Sequence, residues 1–573
     1  LEKIARLIGT KPKDKKLQGL SETPGVGEKL SPRCSFSACP LCGGEEIHYA
    51  FGVAGRRLDE CQACDLLFLN PQPSPEELSE IYRTGYLLGE DVPGLNERRP
   101  GLRRATAGLL LDDVRDYWGS VEPHEKSLID IGCGSGDLLA VAESMGFHCT
   151  GVDVSHELLD KAASQLRNTQ LLLGDIGSLD LPDEGYDVCV LSDALEHFRD
   201  PIRVMQSVCR ILKPSGITVV ATPSLESFTA RFMKEKWLEF KREHLFYFRP
   251  SSLQQLLYMS GFSSIKTYPH TKVLDLEYVE AHFDRFPTAS GAGKLFRRFL
   301  AFLPRFLKRR AFTTGGSGMV AIATKNRDTM NGLRKVSIIL PVYNEKETFS
   351  VVVEQLIQKT IRGLEKEIII VESNSTDGTR DDVVKLQGSP DVKIVLQRAP
   401  RGKGNAVREG LQHATGEIIL IQDGDLEYDI QDYEALLRPI TQLRSSFTLG
   451  IRHKGNSLKM RRFIHRPVLA WIINFGHKGL TCLFNMLYRQ NLSDPFTMFK
   501  VFRKDCLRGV QLDCDHFDFD IELVIKLVRQ GFTPLEIPVN YVSRSFEEGK
   551  KVSFIRDPLR ICSAMFRHWF HAR

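Results

Sequence analysis

The sequence predicts an α/β chain of more than one domain, on three observations. From about residue 125 to 223 the apolar runs SLIDIG, HCTGVDV, LLLGDI, YDVCVLSD and ITVVATP alternate with helical patterns, as in a parallel sheet. The alternation restarts at KVSIILPVYNE (335–345) and continues through EIIIVES, VKIVLQR and EIILIQD, after a polar junction near 325–334. Ahead of both series stand four cysteines in two CxxC pairs. At 573 residues the chain is too long for one hydrophobic core. Its 42% hydrophobic and 26% charged residues are those of a globular protein, and a net charge of +5 over this length makes no case for nucleic acid. No stretch supplies the roughly 18 apolar residues that span a bilayer. The best candidate, 467–488, is interrupted by His477 and Lys478.

Residues 1–33, rich in Lys, Gly, Ser and Pro, read as a flexible tail. A cysteine module, 34–95, follows. Cys39-x2-Cys42, eighteen residues, then Cys61-x2-Cys64 is the spacing of two thiolate knuckles on one tetrahedral zinc ion. The zinc is expected to brace a small ribbon and to leave no position open for catalysis. Four reduced structural thiols are the other reading. The thirteen cysteines otherwise suit a reducing compartment better than a disulfide framework.

LIDIGCGSGD (128–137) is a strand running into a glycine turn, where Gly132, Gly134 and Gly136 let the backbone bend sharply and approach a ligand. Seventeen residues after Gly136, Asp153 ends the second strand, where an acid accepts both ribose hydroxyls of an adenosine cofactor. Asp175 follows the third strand, placed to read the adenine amino group. A nicotinamide enzyme is the other reading of such a turn.

With LEHFRDP and LKPSGITVVATPS, these motifs make the segment resemble the class I S-adenosylmethionine-dependent methyltransferases, whose fold is Rossmann-like. CPLCGG…CQACDLLFLNPQPSPEEL before that core and EHLFYFRPSSLQQLLYMSGF after it are similar to a zinc-containing branch that includes sugar methyltransferases. The resemblance covers 37–325. It implies S-adenosyl-L-methionine as cofactor, Asp130 in the donor pocket, and Glu243 and His244 in proton abstraction, for which an imidazole is apt. Glu196 and His197 fall near the donor pocket in related folds. For all four a purely structural role is the alternative.

An insertion, LFRRFLAFLPRFLKRRAF (295–312), spaces Phe296, Phe299, Leu300, Leu303 and Leu307 as on a helix among six basic residues. It is expected either to lie on an anionic membrane surface or to pack on its own domain.

In the second series VSIILPVYNEKETFSVVVEQL resembles the opening of family 2 glycosyltransferases of the GT-A nucleotide-sugar-binding fold, and the resemblance runs through most of 335–560. It implies that Pro341, Tyr343 and Glu345 line the nucleotide. VESNSTDGT (371–379) has Glu372 and Ser373 where the family carries two consecutive Asp, which leaves the base contact open. Lys403, with Arg401, is placed to approach diphosphate oxygens. QDGDLEYD matches the family's DxD element. Asp423, Asp425 and Glu427 alternate, so in extended geometry they point one way and suit Mg2+ or Mn2+, with Asp429 as a helix cap. The C-terminal third looks like dolichol-phosphate mannose synthase and its relatives. That likeness puts Asp494 facing the acceptor and Arg452, Arg544 and Lys550 on phosphates. For a sugar hydroxyl acceptor, the base is to be sought at Asp520 or Glu522.

The expected organisation is therefore tail 1–33, zinc module 34–95, methyltransferase 96–327 and glycosyltransferase 328–573. The expected function is methyl transfer, to a sugar, joined to metal-dependent inverting sugar transfer from a nucleotide-sugar to a glycan or polyprenyl-phosphate acceptor. The alternatives are that one domain only binds, or that the methyl acceptor is a lipid or metabolite. The expected location is cytoplasmic, with peripheral contact to the inner membrane face through 295–312.

Overall fold

The computed structural model describes residues 34–53, 55–85, 99–118, 124, 126–285, 303–326, 333–453, 467–543 and 556–570. The tail 1–33, residues 295–302, Arg544 and Lys550 lie outside them.

The first strands, β1 (Ile47–Val53), β2 (Arg56–Cys61) and β3 (Leu67–Leu69), form an antiparallel ribbon. Five parallel strands follow: β4 (Ser127–Ile131), β5 (His148–Asp153), β6 (Gln170–Leu173), β7 (Tyr186–Ser192) and β8 (Leu212–Pro223). β9 (Phe246–Tyr247) then returns to pair with β3, so the cysteine ribbon is stitched to the larger unit. Leu41, Phe68 and Leu69 of the ribbon share one core with Leu245, Phe246 and Leu253.

β10 (Phe262–Pro269) pairs with a later strand of the same sheet, while β11 (Lys272–Leu274) and β12 (Phe312–Thr314) form a small ribbon of their own. β13 (Gly318–Lys325) runs antiparallel between β10 and β8. The resulting order, β10-β13-β8-β7-β4-β5-β6, places β4 where successive connections leave in opposite directions. That switch point is where open α/β sheets hold their ligands.

Residues 303–312 do not continue a long amphipathic helix. After Pro304 the helix is only Arg305–Lys308, and Phe312 begins β12. Its basic side chains pair within the domain: Lys308 donates to Glu280 at 2.7 Å and Arg309 to Glu277 at 3.1 Å, both acids on the helix Leu276–Arg285.

The second unit is a seven-stranded sheet. β14 (Lys335–Val342), β15 (Glu365–Glu372), β16 (Val392–Leu396) and β17 (Ile418–Ile421) are parallel. β18 (Phe447–Ile451), β19 (Lys500–Arg503) and β20 (Leu535–Pro538) complete the order β16-β15-β14-β17-β19-β18-β20, with β19 antiparallel to both neighbours. The central strands are near-continuous apolar runs, as strands covered on both faces must be. Ile338, Ile369, Ile419 and Leu420 are fully buried. No helix among the described residues is long and apolar enough to cross a membrane.

The two sheets' domains meet through packed side chains. The Arg503 guanidinium lies 3.8 Å from the centroid of the Tyr258 ring, and Asp505 accepts from the Ser264 backbone N–H at 3.2 Å. Gln254 and Thr267 both donate to the Gly531 carbonyl, at 3.0 and 3.2 Å. At Gly531 (φ +88°) a Cβ would come within 2.3 Å of the Thr267 carbonyl, so the approach requires glycine.

Candidate active sites

The ribbon brings its four cysteines together. Their sulfurs lie within 4.8 Å of one another, with Cys39–Cys64 and Cys42–Cys61 both at 3.6 Å. Two tight turns do this. The Gly43 N–H donates to the Cys39 carbonyl and the Asp65 N–H to that of Cys61, each at 2.9 Å. The Leu41 and Ala63 amides donate to the Cys39 and Cys61 sulfurs at 3.4 Å. Sulfurs about 3.8 Å apart are what a tetrahedral ion with bonds of about 2.3 Å requires, so the set fits zinc.

At the end of β4 the turn Gly132-Cys133-Gly134-Ser135-Gly136 leads into the helix Asp137–Ser144, and all three glycines have positive φ. A Cβ on Gly132 would sit 2.9 Å from the Ala194 side chain, so this turn abuts the segment after β7. Asp153 is fixed by the Gly134 amide at 2.8 Å and the Ser155 amide at 2.9 Å. Asp130 is buried, and its Oδ1 has no hydrogen-bond partner in the chain. Burial, then the charge of Asp153, pushes its carboxyl up to about 7. An orphaned acid at the glycine turn fits the ammonium group of S-adenosylmethionine. Asp175 is exposed, and its Oδ1 accepts from the Gly177 amide at 2.7 Å, capping its own turn.

Glu243 and His244 are both buried. The His244 ring meets His197 edge to face with centroids 4.8 Å apart, and Glu196 lies beside both. Burial pushes His244 well below the ordinary imidazole range and His197 to about 4. Glu196 is pushed up to about 8 by burial and then by Asp193, while its Oε2 accepts from the Thr222 hydroxyl at 2.9 Å.

In the second domain a cleft of 1040 Å³ opens at the C-terminal ends of β14 and β17. It collects Pro341, Tyr343, Glu345, Lys403, Asp423, Asp425, Glu427 and Arg452, which lie far apart in sequence. Three groups of expected site residues are arranged as follows. First, the acids of QDGDLEYD do not converge as on one face of a strand. β17 ends at Ile421, so the extended geometry is absent, and they form no three-oxygen group within ligand distance. Asp423 pairs with Lys403, Asp425 accepts from the Glu427 amide at 3.1 Å, and Glu427 accepts from the Tyr541 hydroxyl at 3.0 Å. Second, Glu372 is fully buried away from the cleft, holding the Ser375 amide at 2.6 Å and Arg380 at 3.0 Å. Ser373 lines the cleft instead. Third, neither Asp494 nor Glu522 lines it. Asp494 takes Arg452 in a two-pronged bond at 2.7 and 2.8 Å, and His477 lies 3.3 Å away. Burial would raise its carboxyl, but Arg452 outweighs burial and holds it well below the usual range. Glu522 clamps the Asp513 and Cys514 amides, at 2.9 and 2.8 Å, to Lys526 at 2.7 Å. Asp429 does cap a turn, accepting from the Gln431 amide at 2.9 Å.

Asp520 lines the cleft, 3.5 Å from the fully buried Lys500, and burial raises its carboxyl. Sequence reasoning missed Lys500 beside Asp520, and Tyr541 and His477 in the cleft wall. The one available signal was a histidine interrupting an apolar run, which it treated as a break. The remaining walls come from the helices Pro467–Tyr488 and Arg556–Phe570.

The model of the family described as "Methyltransferase domain" matches residues 102–267, and that of "Glycosyl transferase family 2" matches 337–509. The chain joins a methyltransferase domain to a family 2 glycosyltransferase domain. The glycosyltransferase domain is similar to dolichol-phosphate mannosyltransferase of Pyrococcus furiosus, 27% identical over 217 residues, 38% of this chain and 59% of that protein. It is also similar to glycosyltransferase AglD of Haloferax volcanii, 26% identical over 246 residues, 41% of this chain and 37% of that protein. The chain thus spans about half the length of these curated relatives. A solved S-adenosylmethionine-dependent methyltransferase from Archaeoglobus fulgidus is 19% identical, covering 40% of this chain and 98% of its own, with a TM-score of 0.27.

Proposed function

We propose that the chain performs two group transfers in glycan or glycolipid assembly. In the first domain S-adenosylmethionine donates a methyl group, to a sugar. Asp130 receives its ammonium and Asp153 its ribose. In the second, a nucleotide-sugar donor binds with Mg2+ or Mn2+ at Asp423 and Asp425, and Lys403 and Arg452 face its diphosphate. A divalent ion there neutralises the leaving group. The four cysteines hold Zn2+ as a brace for the ribbon.

The observation that carries the choice of acceptor is the character of the cleft walls. The helix Pro467–Tyr488 lines the cleft with Ile472 and Ile473 and exposes Trp471, Phe475 and Met486. The helix Arg556–Phe570 adds Pro558 and Ile561 inside and exposes Leu559 and Phe570. Apolar faces of this kind beside a cleft lined by charged side chains of both signs favour an amphiphile over a free sugar. We therefore assign a polyprenyl phosphate as acceptor, presented at a membrane surface by these helices rather than by 295–312. A phosphate oxyanion needs no general base, whereas a hydroxyl acceptor would call on Asp520, the candidate base that lines the cleft.

The test is transfer of labelled sugar from a panel of nucleotide-sugars to polyprenyl phosphate in vesicles, with Mn2+. Transfer is expected to be lost in Asp425→Asn. Transfer to soluble glycans but not to the lipid would sink the acceptor. Thermal-shift titration with S-adenosylhomocysteine and nucleoside diphosphates checks each donor site separately. Zinc content is expected to fall in Cys61→Ser.

A further inference from the structure

Glu196, His197 and His244 come from two segments, the turn after β7 and the stretch before β9. They present one carboxylate oxygen and two imidazole nitrogens within 4.8 Å of one another. Glu196 is 1% exposed and His244 3%. Glu196 Oε1 and His244 Nδ1 are both buried with no hydrogen-bond partner. Buried polar atoms are nearly always paired, so two orphaned atoms on members of one close-set group call for a ligand. The nearby cations are already engaged: Lys272 pairs with Asp193 at 2.8 Å and Lys241 with Glu239 at 2.9 Å. Glu196 is meanwhile oriented through its other oxygen by the Thr222 hydroxyl at 2.9 Å, as an outer-shell partner orients a metal-ligating carboxylate.

We infer that Glu196, His197 and His244 form a second metal site, for a divalent first-row transition ion, beside the methyl-donor turn. Two imidazoles and one carboxylate on one side leave the other coordination positions open. Imidazole ligands favour Co2+, Fe2+, Ni2+ or Zn2+ over Mg2+, which separates this site from the acids of the second domain. Three protein ligands with open positions distinguish it equally from the closed four-sulfur site. Gly132 abuts Ala194, two residues before Glu196, so an ion here stands next to the donor turn. An open position facing that turn suits a hydroxyl oxygen of the methyl acceptor. That role rests on the methyl-transfer reading above; binding of the ion does not.

The test is Co2+ binding to the zinc-loaded full chain by equilibrium dialysis, with Mg2+ in excess to occupy the acidic site of the second domain. Wild type is expected to take up one equivalent of Co2+ with weak visible bands and no intense thiolate charge-transfer absorption. That equivalent is expected to be lost in His244→Gln and in the isosteric Glu196→Gln, and kept in Asp425→Asn. A thermal shift with S-adenosylhomocysteine shows that each variant is folded. Co2+ uptake equal to wild type in either folded variant overturns the proposal, as does wild-type uptake only with thiolate absorption. Co2+ bound as expected in a chain that transfers no methyl group supports the ion site and sinks the methyl-transfer reading alone.

Discussion

Lys403 and Asp423 form an ion pair in the cleft of the second domain, the one from the first residue of the helix Lys403–His413, the other from the turn after β17. Burial alone would lower the Lys403 amine, but Asp423 prevails and raises it, so the lysine stays charged. On the proposed reading a divalent ion and Lys403 compete for Asp423, and the lysine is expected to pass to the diphosphate when both bind. Lys403→Met is expected to bind Mn2+ alone more tightly than wild type. Its nucleoside diphosphate affinity should fall about tenfold or more, the size of a lost charge-assisted hydrogen bond. Calorimetric titration of each ligand separately checks both signs.

Glu427 is held by Tyr541, not aimed with Asp423 and Asp425 at one point. Glu427→Gln keeps an oxygen for that hydroxyl and removes one negative charge from the cleft. It is expected to transfer sugar within a few-fold of wild type while needing more Mn2+ for half-maximal rate. Metal titration of the transfer rate is the measurement, and complete inactivity would show that Glu427 binds the ion directly.

Asp494 positions Arg452. Removing its charge leaves a buried guanidinium without its counter-ion, which costs about 3–5 kcal/mol. Asp494→Asn is expected to be destabilised by that order in denaturant unfolding at neutral pH. Because the native carboxyl titrates well below its ordinary value, the pair's contribution is complete above the unfolded value, near 3.9. It disappears only as pH falls through the native value. The gap between wild type and variant should therefore persist from pH 7 to 5 and close in stronger acid.

Asp130 has the opposite sign. A carboxyl raised to about 7 contributes stability at low pH that is lost as pH rises from the unfolded value through 7. Asp130→Asn is expected to melt above wild type at pH 8 and close to it at pH 4. The same variant should bind S-adenosylhomocysteine poorly, since on the proposed reading the ligand's ammonium pairs with that carboxylate. Wild-type affinity should fall about tenfold from pH 8 to 6, following the ionised fraction. Gain of stability with loss of binding is a signature that a purely structural acid would not give.

The features legible in the sequence were those written in a few adjacent residues. CxxC knuckles, a glycine turn after a strand and an apolar β14 depend on local backbone geometry, and their residues stand together in the chain. The acids of QDGDLEYD were legible as a cleft element but not in their directions, because where β17 ends is settled by its pairing with β19. Glu372 is turned inward for a related reason. Arg380, at the start of the following helix, draws it inward, and no spacing rule announces that contact. Asp494 with Arg452, and Glu522 with Lys526 and His568, are partnerships of tertiary packing. From the sequence each looked like a solitary acid available for chemistry.

The seam at Gly531 governs how the two halves should be studied. With Thr267 and Gln254 on the Gly531 carbonyl and Arg503 against Tyr258, neither half has a finished surface of its own. Cutting the chain between β13 and β14 would lay bare an aromatic ring and a guanidinium that the intact molecule keeps dry. A severed half that fails to methylate or glycosylate would then report a torn seam as readily as a missing catalyst. Single substitutions in the whole chain are the sharper instrument for assigning the two chemistries.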